Sequence, residues 1–380
     1  MNNLLLYSGL IFLFEPNIFV KIPILNMLYI GGIVLVFGLT LYKYIKSGEK
    51  ISKLFLVLLI YRLSVFIPTL IYDGDILKVG YLSMVILTAD LVIEYYLKRD
   101  PVKLIKALVN IFTVMLLVNI CLYIVYPRGL YHGKVLHFLG IRTRFSDYAI
   151  PLMALIFIEK YMCKVKMSRF IIVLTVIALN ILLPFIATAV VGVIIFLIGL
   201  ILFKDRIKIN NKFLVTAFII INILVVGFRV HTIFRGVIED ALGKSMSLSG
   251  RTDIWDKSFE IIQDKFLFGY GYNNDGCFVI INNLARQAHN QLLQCLYDGG
   301  IVSTIIFIYL LYYVAKKLDQ YKGNKIYTAI TSILLTYYII MLSEIYAYYP
   351  QFFVMLILGY NIPKLIKVQE DGEKDEENLL

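Results

Sequence analysis

Residues 76–97 read ILKVGYLSMVILTADLVIEYYL, between an Asp73-Gly74-Asp75 turn and a Lys98-Arg99-Asp100 cluster. Twenty-two helical residues reach about 33 Å, enough to cross the hydrocarbon core of a bilayer. Lys78 and Glu94 sit near the ends, where long side chains can snorkel. Asp90 is deeper and needs a partner. The same alternation of apolar run and charged punctuation repeats along the whole chain. The 380 residues are 60% hydrophobic and only 17% charged, with mean hydropathy +0.80. A soluble domain is nearer half apolar and a quarter charged. That composition excludes a soluble enzyme, a disordered protein and a secreted disulfide scaffold. The expectation is an all-α polytopic integral membrane protein with about 12 transmembrane helices.

The candidate spans are Leu4–Val20, Ile22–Tyr42, Leu54–Tyr72, Ile76–Leu97, Ala107–Tyr126 and Phe145–Tyr161. They continue at Phe170–Phe185, Thr188–Phe203, Phe213–Phe228, Gly300–Val314, Ile326–Tyr346 and Phe352–Ile362. Pro184 divides the long Phe170–Phe203 run into two short helices. Every second connection is basic: Lys43–Lys53, Lys98–Lys106, Glu159–Arg169, Lys204–Lys212 and Lys316–Lys325 each carry four Lys or Arg and one acid. The positive-inside rule places these five in the cytoplasm, with both termini. The net charge of +11 is therefore a topology signal rather than a nucleic-acid footprint. The first span lacks a basic leader and a small-residue cleavage site, so it is expected to be retained.

On the opposite face two connections are long, Pro127–Asp147 and the 70-residue segment Arg229–Asp298. The organisation expected is a bundle over 1–228, a large extracytoplasmic catalytic loop over 229–298, closing helices over 299–363 and a solvated acidic tail over 364–380. Long loops on a rigid scaffold are where function concentrates. The large loop holds Ser249-Gly250-Arg251-Thr252-Asp253-Ile254-Trp255, with Thr252 as an N-cap and Trp255, Phe259, Ile262 and Phe266 at helical spacing. This predicts a short amphipathic helix at the membrane surface, with Trp255 at the interface. Phe268-Gly269-Tyr270-Gly271 follows, whose glycines permit a tight turn or close backbone approach to a ligand. The loop ends at Arg286-Gln287-Ala288-His289-Asn290, before Gly299-Gly300 and the next span.

The order Gly250-Arg251, Ile254-Trp255, Phe268-Gly269-Tyr270-Gly271, then His289-Asn290, Leu293 and Gly299 or Gly300, resembles the O-antigen ligase and Wzy-type polysaccharide polymerase superfamily. The resemblance is close over roughly 250–310 and elsewhere rests on span count and loop position. Members often carry a Ser-Arg pair at the tip of an earlier helix hairpin. Here that tip reads Ile186-Ala187-Thr188-Ala189-Val190, so a phosphate contact made there must be absent or supplied elsewhere, with Arg142 and Arg144 as candidates.

The resemblance implies glycosyl transfer from a polyprenyl (undecaprenyl) pyrophosphate-linked oligosaccharide to a hydroxyl acceptor, on the outer face of a bacterial cytoplasmic membrane. A chain-length regulator and a flippase of the same pathway would be partners. The residue chemistry agrees independently. A pyrophosphate leaving group needs fixed cations where negative charge develops, and arginine binds phosphate bidentately without losing its charge. Arg251 is the first choice, with Arg142, Arg144 and Arg286 assisting. The attacking hydroxyl needs a proton acceptor, and an imidazole titrating near pH 6.5 suits that role. His289 is placed there. Asn290, Gly269, Gly271 and Trp255 complete the expected substrate-binding set, and no metal or cofactor is called for. Repeat-unit polymerisation into a capsule, exopolysaccharide or O-antigen is favoured. Transfer of finished glycan by a ligase, and flipping of lipid-linked sugars by a transporter, remain alternatives.

Blander readings stand beside these. Arg251, Arg142 and Arg144 can anchor lipid headgroups, and a histidine at a helix entrance can be a surface or capping residue. Asp73-Gly74-Asp75 resembles a metal-binding Asp-x-Asp motif, but turn chemistry selects the same residues. His132 and His137 lack the companions of a metal site, and His231 reads as a loop residue. Cys277 and Cys295 lie in or beside the outer loop without indicating a disulfide; Cys121 and Cys163 read as free thiols. Arg62 and Asp90, at depths of about 12 and 10 Å on adjacent antiparallel spans, are expected to pair as a structural staple.

Overall fold

The computed structural model describes residues 3–130, 135–163, 165–204, 209–229, 251–272 and 287–377. Arg286, His132, His231 and Cys277 lie outside the described residues. Fourteen α-helices account for most of the described chain, without a β-sheet among those residues. They are α1 (Asn3–Leu13), α2 (Pro23–Ser47), α3 (Lys53–Ile71), α4 (Ile76–Leu97), α5 (Pro101–Val125), α6 (Ser146–Met162) and α7 (Met167–Leu182). Then come α8 (Ala187–Leu202), α9 (Asn211–Asn222, continuing as a π-turn through Ile223–Gly227), α10 (Arg251–Asp264) and α11 (Gln291–Leu318). The last are α12 (Lys325–Ile340), α13 (Pro350–Tyr360) and α14 (Ile362–Glu377).

Among the described residues five helices (α2, α3, α4, α5 and α11) are long and apolar enough to cross a membrane, and a sixth crossing arises if α13 and α14, bent by 62°, form one broken span. The chain is a multi-pass membrane protein. Helices α7, α8, α9 and α12 are apolar but shorter. At 1.5 Å per residue the 16 residues of α7 span about 24 Å.

Helix starts follow local chemistry. Ser52, Asp75 and Asp100 cap α3, α4 and α5 by accepting from the amides of Phe55, Lys78 and Lys103, each at 3.0 Å. Asp75 of the Asp-Gly-Asp turn is thus a helix cap, and its own amide donates to Tyr272 O at 3.1 Å. The break around Pro184 separates α7 from α8, as its position predicts. Helices α4, α6, α12 and α13 are the most enclosed; α12 lies against α8 and α6, and α11 against α3, α9 and α13.

Three expectations change. Arg62 and Asp90 do not pair. Arg62 Nε donates to Ser83 at 3.0 Å, whereas Asp90 accepts from Ser52 at 3.4 Å, at the start of α3. The antiparallel register sets Arg62 level with Ser83, and Asp90 lies seven residues, about 10 Å, further along α4. Helix α11 begins at Gln291, so Asp298, taken as the end of the outer loop, lies two turns inside a helix. The acidic tail is not simply solvated: α14 runs through it and buries Leu365 and Ile366 against the bundle.

The segment that positions the site is the kinked start of α11. Gly300 has φ +64° and ψ −164°, and a Cβ there would lie 2.2 Å from Leu267 O. That space is filled by the Phe-Gly-Tyr-Gly segment, whose Tyr270 and Gly271 amides donate to Tyr297 O (2.7 Å) and Asp298 O (2.9 Å). Carbonyls freed by the kink are thereby satisfied. Gly300→Ala is expected to destabilise the protein by about 2 kcal/mol or more, from strain and clash together. A markedly lower unfolding temperature in detergent would verify this, and an unchanged one would contradict it.

Candidate functional site

The site forms where the N-terminus of α10, the entrance to α11 and the turn after α12 meet. Asn290 is the N-cap of α11: its carbonyl oxygen accepts from Leu293 N at 2.9 Å, while its amide donates to Asn222 Oδ1 (2.7 Å) and Leu342 O (3.1 Å). Gln291 takes hold of the same turn, accepting from the amides of Tyr346 and Ala347 at 2.9 Å each and donating from its own amide to Met341 O at 3.0 Å. Two adjacent residues thus fix residues 341–347 against the helix entrance. His289 precedes the cap at φ +49°, a conformation uncommon for a non-glycine residue and here enforced on both sides.

Within this frame Glu344 becomes the centre of the site. Arg251 donates to Glu344 Oε1 at 2.6 Å, and His289 Nδ1 faces Glu344 Oε2 at 3.9 Å. The second distance is too long for a hydrogen bond, so the imidazole faces the carboxylate without being tied to it. Burial alone would push the Glu344 carboxyl up, but facing His289, with Arg251 and Arg144 nearby, holds it below the usual carboxylate range. A group depressed in this way contributes stability above the ordinary carboxylate pKa, and loses it as pH falls through the lower value. Glu344 is therefore ionised at neutral pH.

A small polar hollow opens beside it, lined by Thr143, Arg144, Ser146, Asp147, Thr188, Glu344 and Tyr346. Arg144 reaches it from the 3-10 turn Arg142–Phe145 that leads into α6. Its guanidinium stands 4.2 Å from the centre of the Tyr349 ring and 3.5 Å from Asp147 Oδ2. Arg142, on the same turn, is exposed and does not line the hollow. Thr188, at the hairpin tip that lacks arginine, faces the hollow that Arg144 also lines.

The expected site residues thus divide. Arg251, His289 and Arg144 converge on Glu344. Asn290 is 1% exposed, with both ends of its side chain engaged by protein groups, so it builds the site from behind. Trp255 is 1% exposed and packs with Val226, Tyr270, Leu293 and Tyr297, not at a membrane interface. The reason is that the apolar face of α10 is covered by the start of α11. Gly269 and Gly271 approach the chain's own backbone: a Cβ at 269 would lie 2.5 Å from Tyr297 O, and one at 271 would lie 2.5 Å from Thr69 Cα. His137 is fully buried between Tyr123 and Phe145 at ring distances of 4.9 and 5.6 Å, and burial and then the charge of Arg142 lower its pKa. Glu344 escaped the sequence reading because it fell inside the drawn span Ile326–Tyr346. An acid two residues from the end of an apolar run was the signal that could have revealed it.

An O-antigen ligase family model (Wzy_C) matches residues 167–308, from the start of α7 to just beyond the kink in α11. The matched segment contains both Arg251 and His289, whereas Arg144 and Glu344 come from outside it. No curated protein matches the chain.

Asn290→Ala removes the cap and both ties to α9 and the turn after α12. It is expected to destabilise the protein by about 1–2 kcal/mol, and to loosen His289 from Glu344. Thermal unfolding in detergent, together with the proteolysis rate of the 341–349 turn, checks this. An unaltered rate and unfolding temperature would show that the turn is held by other contacts.

Proposed function

From the O-antigen ligase domain at 167–308 as premise, we propose that this chain transfers a glycan from a polyprenyl-pyrophosphate carrier to a hydroxyl acceptor outside the membrane. The observation that carries the proposal is Glu344, which Arg251 and His289 both face and which lines a polar hollow together with Arg144. Two guanidiniums and an imidazole on three separate segments suit a reaction that needs a phosphate clamp beside a proton acceptor.

Arg251 and Arg144 would bind the two phosphates of the leaving group, and their fixed positive charge would stabilise the negative charge that grows there. Arg144 takes the place of the arginine missing from the hairpin tip at Thr188. His289 would accept the proton of the acceptor hydroxyl as that oxygen attacks the anomeric carbon. One such displacement inverts the anomeric centre, with the charge stabilisation supplied by the arginines. The proposal puts the hollow on the outer face and the five basic loops in the cytoplasm, with α1, α6 and the shorter helices also crossing to complete twelve spans. The carrier lipid chains would lie between helices, and the segment 229–290 would cover the sugars.

Repeat-unit polymerisation is the preferred activity. Ligation of finished glycan onto another acceptor uses the same chemistry and differs only in the acceptor bound. Reconstitution into proteoliposomes with synthetic polyprenyl-pyrophosphate repeat units tests the proposal. Wild type is expected to form polymer, and His289→Ala and Arg251→Ala to fall by about 10²-fold or more in rate. Arg144→Ala is expected to fall less steeply and Arg142→Ala little. Full activity in the His289 and Arg251 variants would refute the site, and glycan delivered only to a foreign acceptor would make the chain a ligase.

A further inference from the structure

Glu344 does more than neutralise an arginine. Its two oxygens are divided between two groups of different chemistry: Oε1 accepts from Arg251 at 2.6 Å, and Oε2 stands 3.9 Å from His289 Nδ1. Among the described residues, Nδ1 is buried and has no hydrogen-bond partner. A shift of about 1 Å by the carboxylate would supply one. The backbone need not move, because Asn290 and Gln291 hold the 341–347 turn against the same helix entrance that carries His289.

We propose that Glu344 is a positioning residue that links the donor clamp to the base: a phosphate drawn onto Arg251 frees Glu344 to hydrogen-bond His289. This rests on the glycosyl-transfer reading given above. In this structure Arg251 and Glu344 satisfy each other, and the imidazole Nδ1 has no orienting bond among the described residues. A pyrophosphate on the guanidinium competes for its N–H groups, and the carboxylate turns to Nδ1. Nδ1–H donating to Oε2 fixes the tautomer in which Nε2 carries the free lone pair. The acceptor hydroxyl then gives its proton to Nε2 while its oxygen bonds to the anomeric carbon. The bond from that carbon to the phosphate oxygen breaks, and the pyrophosphate leaves with the electron pair. Glu344 takes no proton and steadies the imidazolium that forms. The order of events follows from this arrangement. Acceptor attack waits for a seated donor, which guards the base against activating water first.

The test uses the full chain in nanodiscs as wild type, Glu344→Gln and Glu344→Asp. Glutamine keeps the shape and still accepts from Arg251 but lacks the charge; aspartate keeps the charge at shorter reach. The single tryptophan, Trp255, is one helical turn from Arg251, so its emission reports binding of undecaprenyl pyrophosphate. Glu344→Gln is expected to bind that carrier as tightly as wild type or more so, because a competing anion is gone, and to lose kcat by about 10²-fold with little change in donor KM. Glu344→Asp should recover at least tenfold of that loss. Wild-type kcat in Glu344→Gln, tenfold weaker carrier binding, or no recovery with aspartate would each overturn the proposal. If Glu344→Gln does not fold, Glu344→Ala takes its place, and wild-type kcat in that variant would overturn the role. If wild type binds the carrier yet transfers no sugar, the glycosyl-transfer reading fails. The binding comparison still decides whether Glu344 competes for Arg251.

Discussion

The site depends on the clasp between the entrance of α11 and the turn after α12. Gln291 accepts two consecutive amides of that turn, and Asn290 donates to a third group in it. Two residues of one helix cap therefore set where Glu344 stands, and His289 is the residue immediately before them. Neither side chain touches a substrate in this account. Both are buried, where an unpaired amide would cost about 1–3 kcal/mol, so the clasp forms completely or is strained at several points at once. His289 and Glu344 come from sequence positions 55 residues apart. Their relation is as fixed as if they shared a helix.

A second constraint supports the first. Helix α11 departs from helical geometry at Gly300, and the Phe268–Gly271 segment pairs with the backbone exposed by the kink. Helix α10, bearing Arg251 at its start, is joined to that segment and packs Trp255 onto the first turns of α11. Arg251, His289 and Glu344 are thus all referred to the same few turns of α11. Arg144 arrives independently from the start of α6, which is why a polar hollow rather than a closed ion pair forms there.

Much of the helix framework was legible because apolar runs and charged loops carry it directly: Ile76–Leu97 is a helix with the very bounds drawn from the sequence. Membrane-crossing length was less legible, since α7, α8 and α12 are 16-residue helices inside longer apolar runs. Register between helices left no trace in the sequence. Counting from drawn span ends put Arg62 level with Asp90, while packing put it level with Ser83. At the site, Arg251 and His289 stood out because polar residues ordered in a long loop invite chemistry. Glu344 was hidden by an overlong span. Asn290, Gly269, Gly271 and Trp255 carried the right signal with a different cause, since residues that assemble a site follow patterns as specific as those that touch a ligand.

The central claim is that a carrier pyrophosphate binds between Arg251 and Arg144 with His289 beside it. The most direct measurement is an electron cryo-microscopy structure of the chain in nanodiscs with undecaprenyl pyrophosphate. The account predicts phosphate oxygens at about 3 Å from both guanidiniums, with Glu344 turned from Arg251 toward His289 Nδ1. Phosphates bound away from the hollow, or seated there with the Arg251–Glu344 contact intact and His289 directed elsewhere, would contradict it.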